Sequence, residues 1–242
     1  MKTWYDRRGT GDPLFMLHPG GVDSRALDVN AAALDDRFTV WRADRRGHGR
    51  TPDVPGPFSF GVMADDMIAF QDGHIGPAHL LGCSDGATVA LTMALKRPDL
   101  VRRLVLVAGV HHHEGWLPGV LDTDEATLEW LGRGYGEVSP DGEAHYRVVA
   151  AKLAELHARE PAYGEEDLKN ITARTLVMVA DDDEVRLEHA LSLYRALPDG
   201  ELAVVPGTSH GLLVEKPDLC HQIISDFLLN DPVPTYAPIR RR

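Results

Sequence analysis

Short apolar runs recur along the chain, each too brief for a helix. Between them lie longer stretches whose apolar positions fall at i, i+3 and i+4. The runs Leu14–Leu17, Thr39–Ala43, His79–Gly82, Leu104–Ala108, Thr175–Val179 and Leu202–Val205 predict strands. The intervening patterns predict helices over Ser24–Leu34, Gly61–Gln71, Gly86–Lys96, Leu187–Ala196 and Asp218–Leu229. Strand alternating with helix is the signature of a mostly parallel sheet covered on both faces, and each crossover is long enough for a right-handed βαβ connection. The fold class is α/β.

One interval breaks this rhythm. From His111 to about Ile171 no strand pattern appears, only polar loops and helix patterns at Glu125–Leu131 and Tyr146–Leu156. The expected organisation is a core of residues 1–110 and 170–242, interrupted by a helical lid at 111–169 that lies over the sheet. Met1 to Arg8 leaves room for a single strand before Leu14. The tail from Asn230, with three prolines and a close on Arg240, Arg241 and Arg242, reads as a solvated arm.

Composition narrows the function classes. With 242 residues the chain can bury a large core as one domain. Its net charge of −12 disfavours nucleic acid as a partner. Cys83 and Cys220 make no disulfide framework and suit a reducing compartment, so a cytoplasmic location is expected. Met1 to Pro13 carries charges and glycines in place of an apolar leader, and no apolar stretch approaches the ~18 residues of a membrane span. Neither secretion nor a membrane partner is expected. The chain offers no H-E-x-x-H, C-x-x-C, P-loop or G-x-G-x-x-G, so no metal, nucleotide or flavin cofactor is expected. Oligomeric state leaves no signal.

The most specific local signal is Gly82-Cys83-Ser84-Asp85-Gly86, a G-x-S-x-G set between an apolar strand and a helix pattern. Small flanking residues let the serine occupy a tight, strained turn that lifts its hydroxyl clear of the sheet. The helix start brings free N–H groups and a positive dipole end close to Ser84. A serine needs a base with proton affinity near neutrality, and the base needs an orienting carboxylate. His210 follows the last predicted strand, and Asp183 follows the one before, inside the acidic run Asp181 to Glu184. Asp181 and Asp182 are the alternatives to Asp183. Residues placed just after parallel strands can converge at the carboxyl edge of the sheet.

In this order and context the chain resembles the α/β-hydrolase superfamily over nearly its whole length. His18-Pro19-Gly20-Gly21 is similar to that superfamily's oxyanion loop, and Asp44-Arg45-Arg46-Gly47-His48-Gly49 to its D-x-R-G-x-G turn. The resemblance implies a seven- or eight-stranded sheet with a lid and the order nucleophile Ser84, acid Asp183, base His210. For Asp183 it rests on G-x-x-D spacing, with Ala180 in place of the glycine. It also implies an oxyanion hole from the Asp85 N–H and a loop N–H, with Gly21 the first choice and Gly20 the alternative. The expected activity is a serine hydrolase of carboxylic esters or lactones acting on a small molecule. Acyl transfer or carbon–carbon bond hydrolysis at the same site, and a non-catalytic binding scaffold, are the alternatives.

Asp85 departs from commoner elbows because its carboxylate opposes oxyanion formation. Such a group is solvated, turned into a structural bond, or used to hold a cation. The Ser-Asp-Gly elbow resembles the valacyclovir-hydrolase group of biphenyl-hydrolase-like proteins, which implies that Asp85 binds the ammonium of an α-amino ester. Cys83 stands where that group has tryptophan. Gly20 and His111 are further expected substrate contacts. His111, His112 and His113 point alternately in an extended chain and are not expected to share a metal. Cys83 is expected to be a packed thiol.

Overall fold

A computed structural model describes residues 2–238; Arg240, Arg241 and Arg242 lie outside the described residues. Seven strands form one sheet: β1 (Tyr5–Arg8), β2 (Asp12–Leu17), β3 (Phe38–Ala43), β4 (Ala78–Cys83), β5 (Val101–Val107), β6 (Arg174–Asp182) and β7 (Gly200–Ser209). Their spatial order is β1-β3-β2-β4-β5-β6-β7. Only β1 runs antiparallel, pairing Tyr5 with Ala43 and Arg8 with Val40. The single strand before Leu14 is therefore present, as an edge. All six predicted strands lie in the sheet. The last two extend further than their apolar runs, because Asp182 and Ser209 continue the pairing after a register shift.

Strand periodicity divides the core in two. In β2, Phe15 and Leu17 enter one cluster and Leu14 and Met16 the other. Helices α2 (Phe60–His74), α3 (Asp85–Lys96) and α7 (Leu187–Ala196) cover the first face, through residues such as Met63, Val89 and Leu193. Helices α1 (Asp28–Leu34), α8 (Leu212–Glu215) and α9 (Pro217–Leu229) cover the second, through Leu34, Leu212 and Ile224. The helix read over Ser24–Leu34 is divided. Asp23 caps a short 3-10 turn, Ser24–Leu27, by accepting from the Arg25 N–H, and α1 starts only at Asp28.

Between β5 and β6 the chain leaves the sheet and forms α4 (Glu125–Gly136), α5 (Tyr146–His157) and α6 (Glu165–Leu168). Asp124 caps α4 by accepting from the Thr127 N–H. Apolar residues of α5, Val149, Leu153 and Leu156, join the same cluster as α2 and α3. The tail from Asp231 to Pro238 has no regular structure and is exposed. Cys83 and Cys220 are both free and buried.

The connection from β4 into α3 positions the chemistry and tolerates no side chain at its glycines. A Cβ on Gly82 would lie 2.2 Å from the Gly86 carbonyl oxygen, and one on Gly86 would lie 2.1 Å from that of Leu17. Both obstacles are backbone and cannot swing aside. Gly86→Ala is therefore expected to destabilise the fold by about 3 kcal/mol, at the upper end of ordinary overpacking. Chemical denaturation against wild type checks this, and an unchanged midpoint would show that the β4–α3 junction is looser than described.

Candidate active site

Ser84 sits at φ 54° and ψ −121°, between the end of β4 and the start of α3. A non-glycine residue at positive φ is strained. Its backbone is held by the Ser84 N–H donating to the Val107 carbonyl and by the Ser84 carbonyl accepting from Ala87 N–H, both at 2.8 Å. The Ser84 hydroxyl lies 3.0 Å from His210 Nε2, and His210 Nδ1 lies 2.8 Å from Asp183 Oδ1. Three residues placed after β4, β6 and β7 thus form one line of hydrogen bonds at the carboxyl edge of the sheet.

Asp183 is buried, and its other bonds fix it. Oδ2 accepts from the Ala180 N–H at 2.9 Å and Oδ1 from the Val185 N–H at 3.1 Å. Burial pushes this carboxyl up, but the His210 hydrogen bond, the two backbone donors and the charge of His210 hold it below the usual carboxylate value. Burial pushes the His210 ring down. The Asp183 hydrogen bond and charge, then Glu184 and Asp85, outweigh that and raise it above the ordinary histidine value. The loop carrying His210 is tied as well. Asp181 accepts from the Thr208 N–H at 3.1 Å, and Glu215 accepts from both the N–H and the hydroxyl of Ser209 at 2.6 Å. Of the alternatives to Asp183, Asp181 is engaged with that backbone and Asp182 is exposed.

The loop after β2 faces this line. Arg45 is fully buried, and its guanidinium donates to the carbonyls of His18 and of Pro19, the latter at 3.0 Å. Burial lowers its pKa to about 10, and Asp85 and Asp44 oppose the shift. The Arg45 N–H donates to His18 Nε2, so the ring proton belongs on Nδ1, which donates to the Pro19 carbonyl at 2.7 Å. Asp44 ties the surrounding turn by accepting from the N–H groups of Ser24 and Arg50. Gly21, at φ +69°, and Gly20 line a cleft of about 570 Å³ together with Ser84, Asp85 and His210. Trp116 and residues of α4 and α5, among them Leu128, Tyr146 and Leu153, form its other wall.

A family model described as the alpha/beta hydrolase family matches residues 14–223. The chain belongs to the alpha/beta hydrolase family. Of curated proteins, "Putative carbamate hydrolase RutD" of Caulobacter vibrioides is 28% identical, with 91% of this chain and 97% of the relative aligned. Proline iminopeptidase PfmaB of Pestalotiopsis fici is 27% identical over 84% of this chain and 86% of its own. The solved enol-lactonase from Burkholderia xenovorans LB400 superposes with a TM-score of 0.76 at 21% identity, covering 94% of this chain and 96% of that one. At that identity the superposition speaks for the hydrolase fold alone.

Of the expected substrate contacts of this hydrolase, His111 is placed differently from the sequence reading and Asp85 is already engaged. His111 does not line the cleft. Its Nδ1 is bonded to the Tyr163 carbonyl and its Nε2 to Ser192 Oγ, and its ring stacks on His189 with centroids 4.0 Å apart. A residue opening the segment after β5 is drawn into anchoring that segment to α7. His112 and His113 stack on each other, and no group of three or more His, Cys, Asp or Glu among the described residues is arranged to hold a metal ion. Asp85 does line the cleft, but its carboxylate is already engaged, with Oδ1 2.9 Å from Nε2 of His157 at the end of α5. Sequence reading missed His157. A buried carboxylate at a helix start signals a cationic partner, yet nothing local picks one of twelve histidines 72 positions away.

Cys83 is the remaining nucleophile beside Ser84. Burial, first, and then the Asp183 charge push its thiol up to about 12. Iodoacetamide near pH 8 is expected to leave Cys83 and Cys220 unmodified in the folded hydrolase and to alkylate both after denaturation, read by intact mass. Modification of Cys83 in the native protein at the rate of a free thiol would contradict this burial.

Proposed function

We propose that the protein is a serine hydrolase of carboxylic esters, lactones or related small acyl compounds, acting through an acyl-enzyme on Ser84. The observation that carries this reading is the unbroken line from the Ser84 hydroxyl through His210 to Asp183, at 3.0 and 2.8 Å, opening into the cleft. In the first half-reaction His210 Nε2 takes the Ser84 proton as Oγ attacks the substrate carbonyl. Asp183 stays ionised and keeps the imidazolium oriented. His210 then gives the proton to the departing alcohol, and a water molecule, activated by the same ring, releases the acid.

The developing oxyanion needs two donors. The Asp85 N–H at the open start of α3 is the first. For the second we favour Gly20 over Gly21. A trans peptide sets its C=O and N–H on opposite sides, and the Pro19 carbonyl is turned to Arg45 and His18, so the Gly20 N–H faces away from them. Residues 111–169 serve as the lid whose α4 and α5 shape the acyl pocket. A reducing cytosol fits the two free cysteines.

Carbamates, named for the RutD relatives, offer the same electrophilic carbonyl and belong in the substrate panel beside esters and lactones. A fluorophosphonate should label Ser84, and Ser84→Ala should lose about 10⁶ in turnover while remaining folded. Labelling elsewhere, or none, would remove the serine-hydrolase reading and favour a binding scaffold. Product analysis with an added alcohol separates hydrolysis from acyl transfer.

The protonation states make a second prediction. His210 must be neutral to accept a proton, and its folded pKa is raised, so kcat/KM should climb with pH through an ionisation above the ordinary value of about 6.5. Asp183→Asn should cost about 10⁴ in rate and shift that ionisation downward, because the anion holding the imidazolium is gone. A near-normal rate in this variant would transfer the acid role to Asp182.

A further inference from the structure

The Asp85 side chain is a buried charge for which the reaction above has no use. It lies one residue after Ser84 and is 2% exposed. A fixed anion at that distance raises the energy of negative charge developing on the substrate oxygen. Oδ1 meets His157 Nε2 at 2.9 Å, while Oδ2 is buried with no hydrogen-bond partner and lies against Gly20, where a Cβ would be 2.1 Å from it. The His157 side chain is 14% exposed and borders the cleft. Its ring also neighbours Phe60 and Trp116, with centroids 6.3 and 6.2 Å away. This contact joins the core to α5 directly beside the nucleophile.

We propose that His157 is a positioning residue whose imidazolium clamps the Asp85 carboxylate, fastening α5 over Ser84 and offsetting an anion that would otherwise resist formation of the oxyanion. The inference rests on the serine-hydrolase reading and goes beyond it by giving the last residue of α5 a part in turnover. It also assigns the cation that Asp85 holds to the protein itself, in place of a substrate ammonium.

The surrounding charges leave His157 as the group that titrates here. Burial lowers the His157 ring, but the charge and hydrogen bond of Asp85 raise it above the ordinary value. Arg45 and His48, on the turn after β3, also act on Asp85. Burial and Arg45 hold His48 at about 4, and Arg45 keeps its charge until about 10. Along α5, Lys152 is paired with Asp53, as is His145 just before the helix, and Arg147, which also lines the cleft, is paired with Glu125. Glu160, past the helix end, is bonded to Ser59 and the Phe60 N–H. His210, 3.9 Å from Glu184, lies on the opposite wall, and its titration has the opposite effect, since activity needs His210 deprotonated and His157 protonated.

The test is a double-mutant cycle with pH profiles on a neutral aryl ester, for wild type, His157→Gln, Asp85→Asn and the double variant. Wild type should show an alkaline fall in kcat/KM above the ordinary histidine value of about 6.5, the direction in which Asp85 moves His157, which is absent in Asp85→Asn because no carboxylate then needs a cation. His157→Gln should lose roughly 10- to 100-fold by leaving the carboxylate unpaired, and adding Asp85→Asn should recover most of that loss. Equal losses from His157→Gln in both backgrounds, or an alkaline fall that persists in Asp85→Asn, would overturn the proposal. An α-amino ester and its des-amino analogue should react within about 3-fold of each other in wild type, whereas an amine preference above about tenfold, the scale of a directly paired ammonium, would overturn it too. If a variant fails to fold, the pH dependence of fluorophosphonate labelling in wild type decides alone, and a rate with no alkaline fall counts against the clamp. Absence of any Ser84 labelling would sink the hydrolase reading itself, whereas normal labelling without the coupling sinks only this inference.

Discussion

The strained backbone of Ser84 is the constraint around which the rest is arranged. Among the described residues only Ser84 and Ala108 combine a side chain with positive φ. Ser84 is kept there by contacts that do not give way, with Gly82 against the Gly86 carbonyl and Gly86 against that of Leu17. The β2 end, the β4 end and the α3 start are thereby brought to van der Waals contact. That closeness puts the loop of Gly20 and Gly21 next to the helix start, with the Asp85 carboxylate lying against Gly20. Strain of order 1–3 kcal/mol is tolerable because two complete core layers lie beneath it.

A second dependence runs through Arg45. A guanidinium buried without a paired carboxylate is costly, and here it is satisfied mainly by two loop carbonyls. Those bonds fix the orientation of successive peptides and so decide which N–H groups are left for other work. The charge itself helps keep Asp85 ionised, behind the larger effect of His157. Loop, helix start and α5 therefore share one electrostatic neighbourhood, though they come from distant parts of the chain.

The legible part of the fold was whatever is encoded locally. Apolar runs mark six strands, five of them buried on both faces and β7 half-buried at the sheet edge with Val204 exposed, and the elbow motif is readable because Gly82 answers the backbone of Gly86 four residues on. Asp183 and His210 could be located because each directly follows a strand of the sheet. Other features depend on how separate pieces dock. The short edge strand Tyr5–Arg8 alternates half-buried and exposed positions and has no apolar run to announce it. The ends of β6 and β7 are polar and pair only because Asp182 meets Ser209. His111 was read from its place after a strand, but the packing of α7 decides where its ring turns. His157 owes its position to the docking of α5, which no short pattern records.

The acidic run Asp181 to Glu184 shows how little interchangeability like charges retain once they are folded. Asp181 grips the backbone of the loop that carries His210, Asp183 meets the ring, Glu184 borders the cleft, and Asp182 extends the strand with its side chain outward. One side chain sets where the imidazole stands and another sets how it is turned, so placement and orientation are under separate control. Because both controls come from β6 and its end while the loop and ring they hold belong to β7 and its end, sliding one strand against the other would disturb both together. The pairing of these two strands thus acts as the alignment stage of the site, and its register is held to the same tolerance as the hydrogen bonds at its tip.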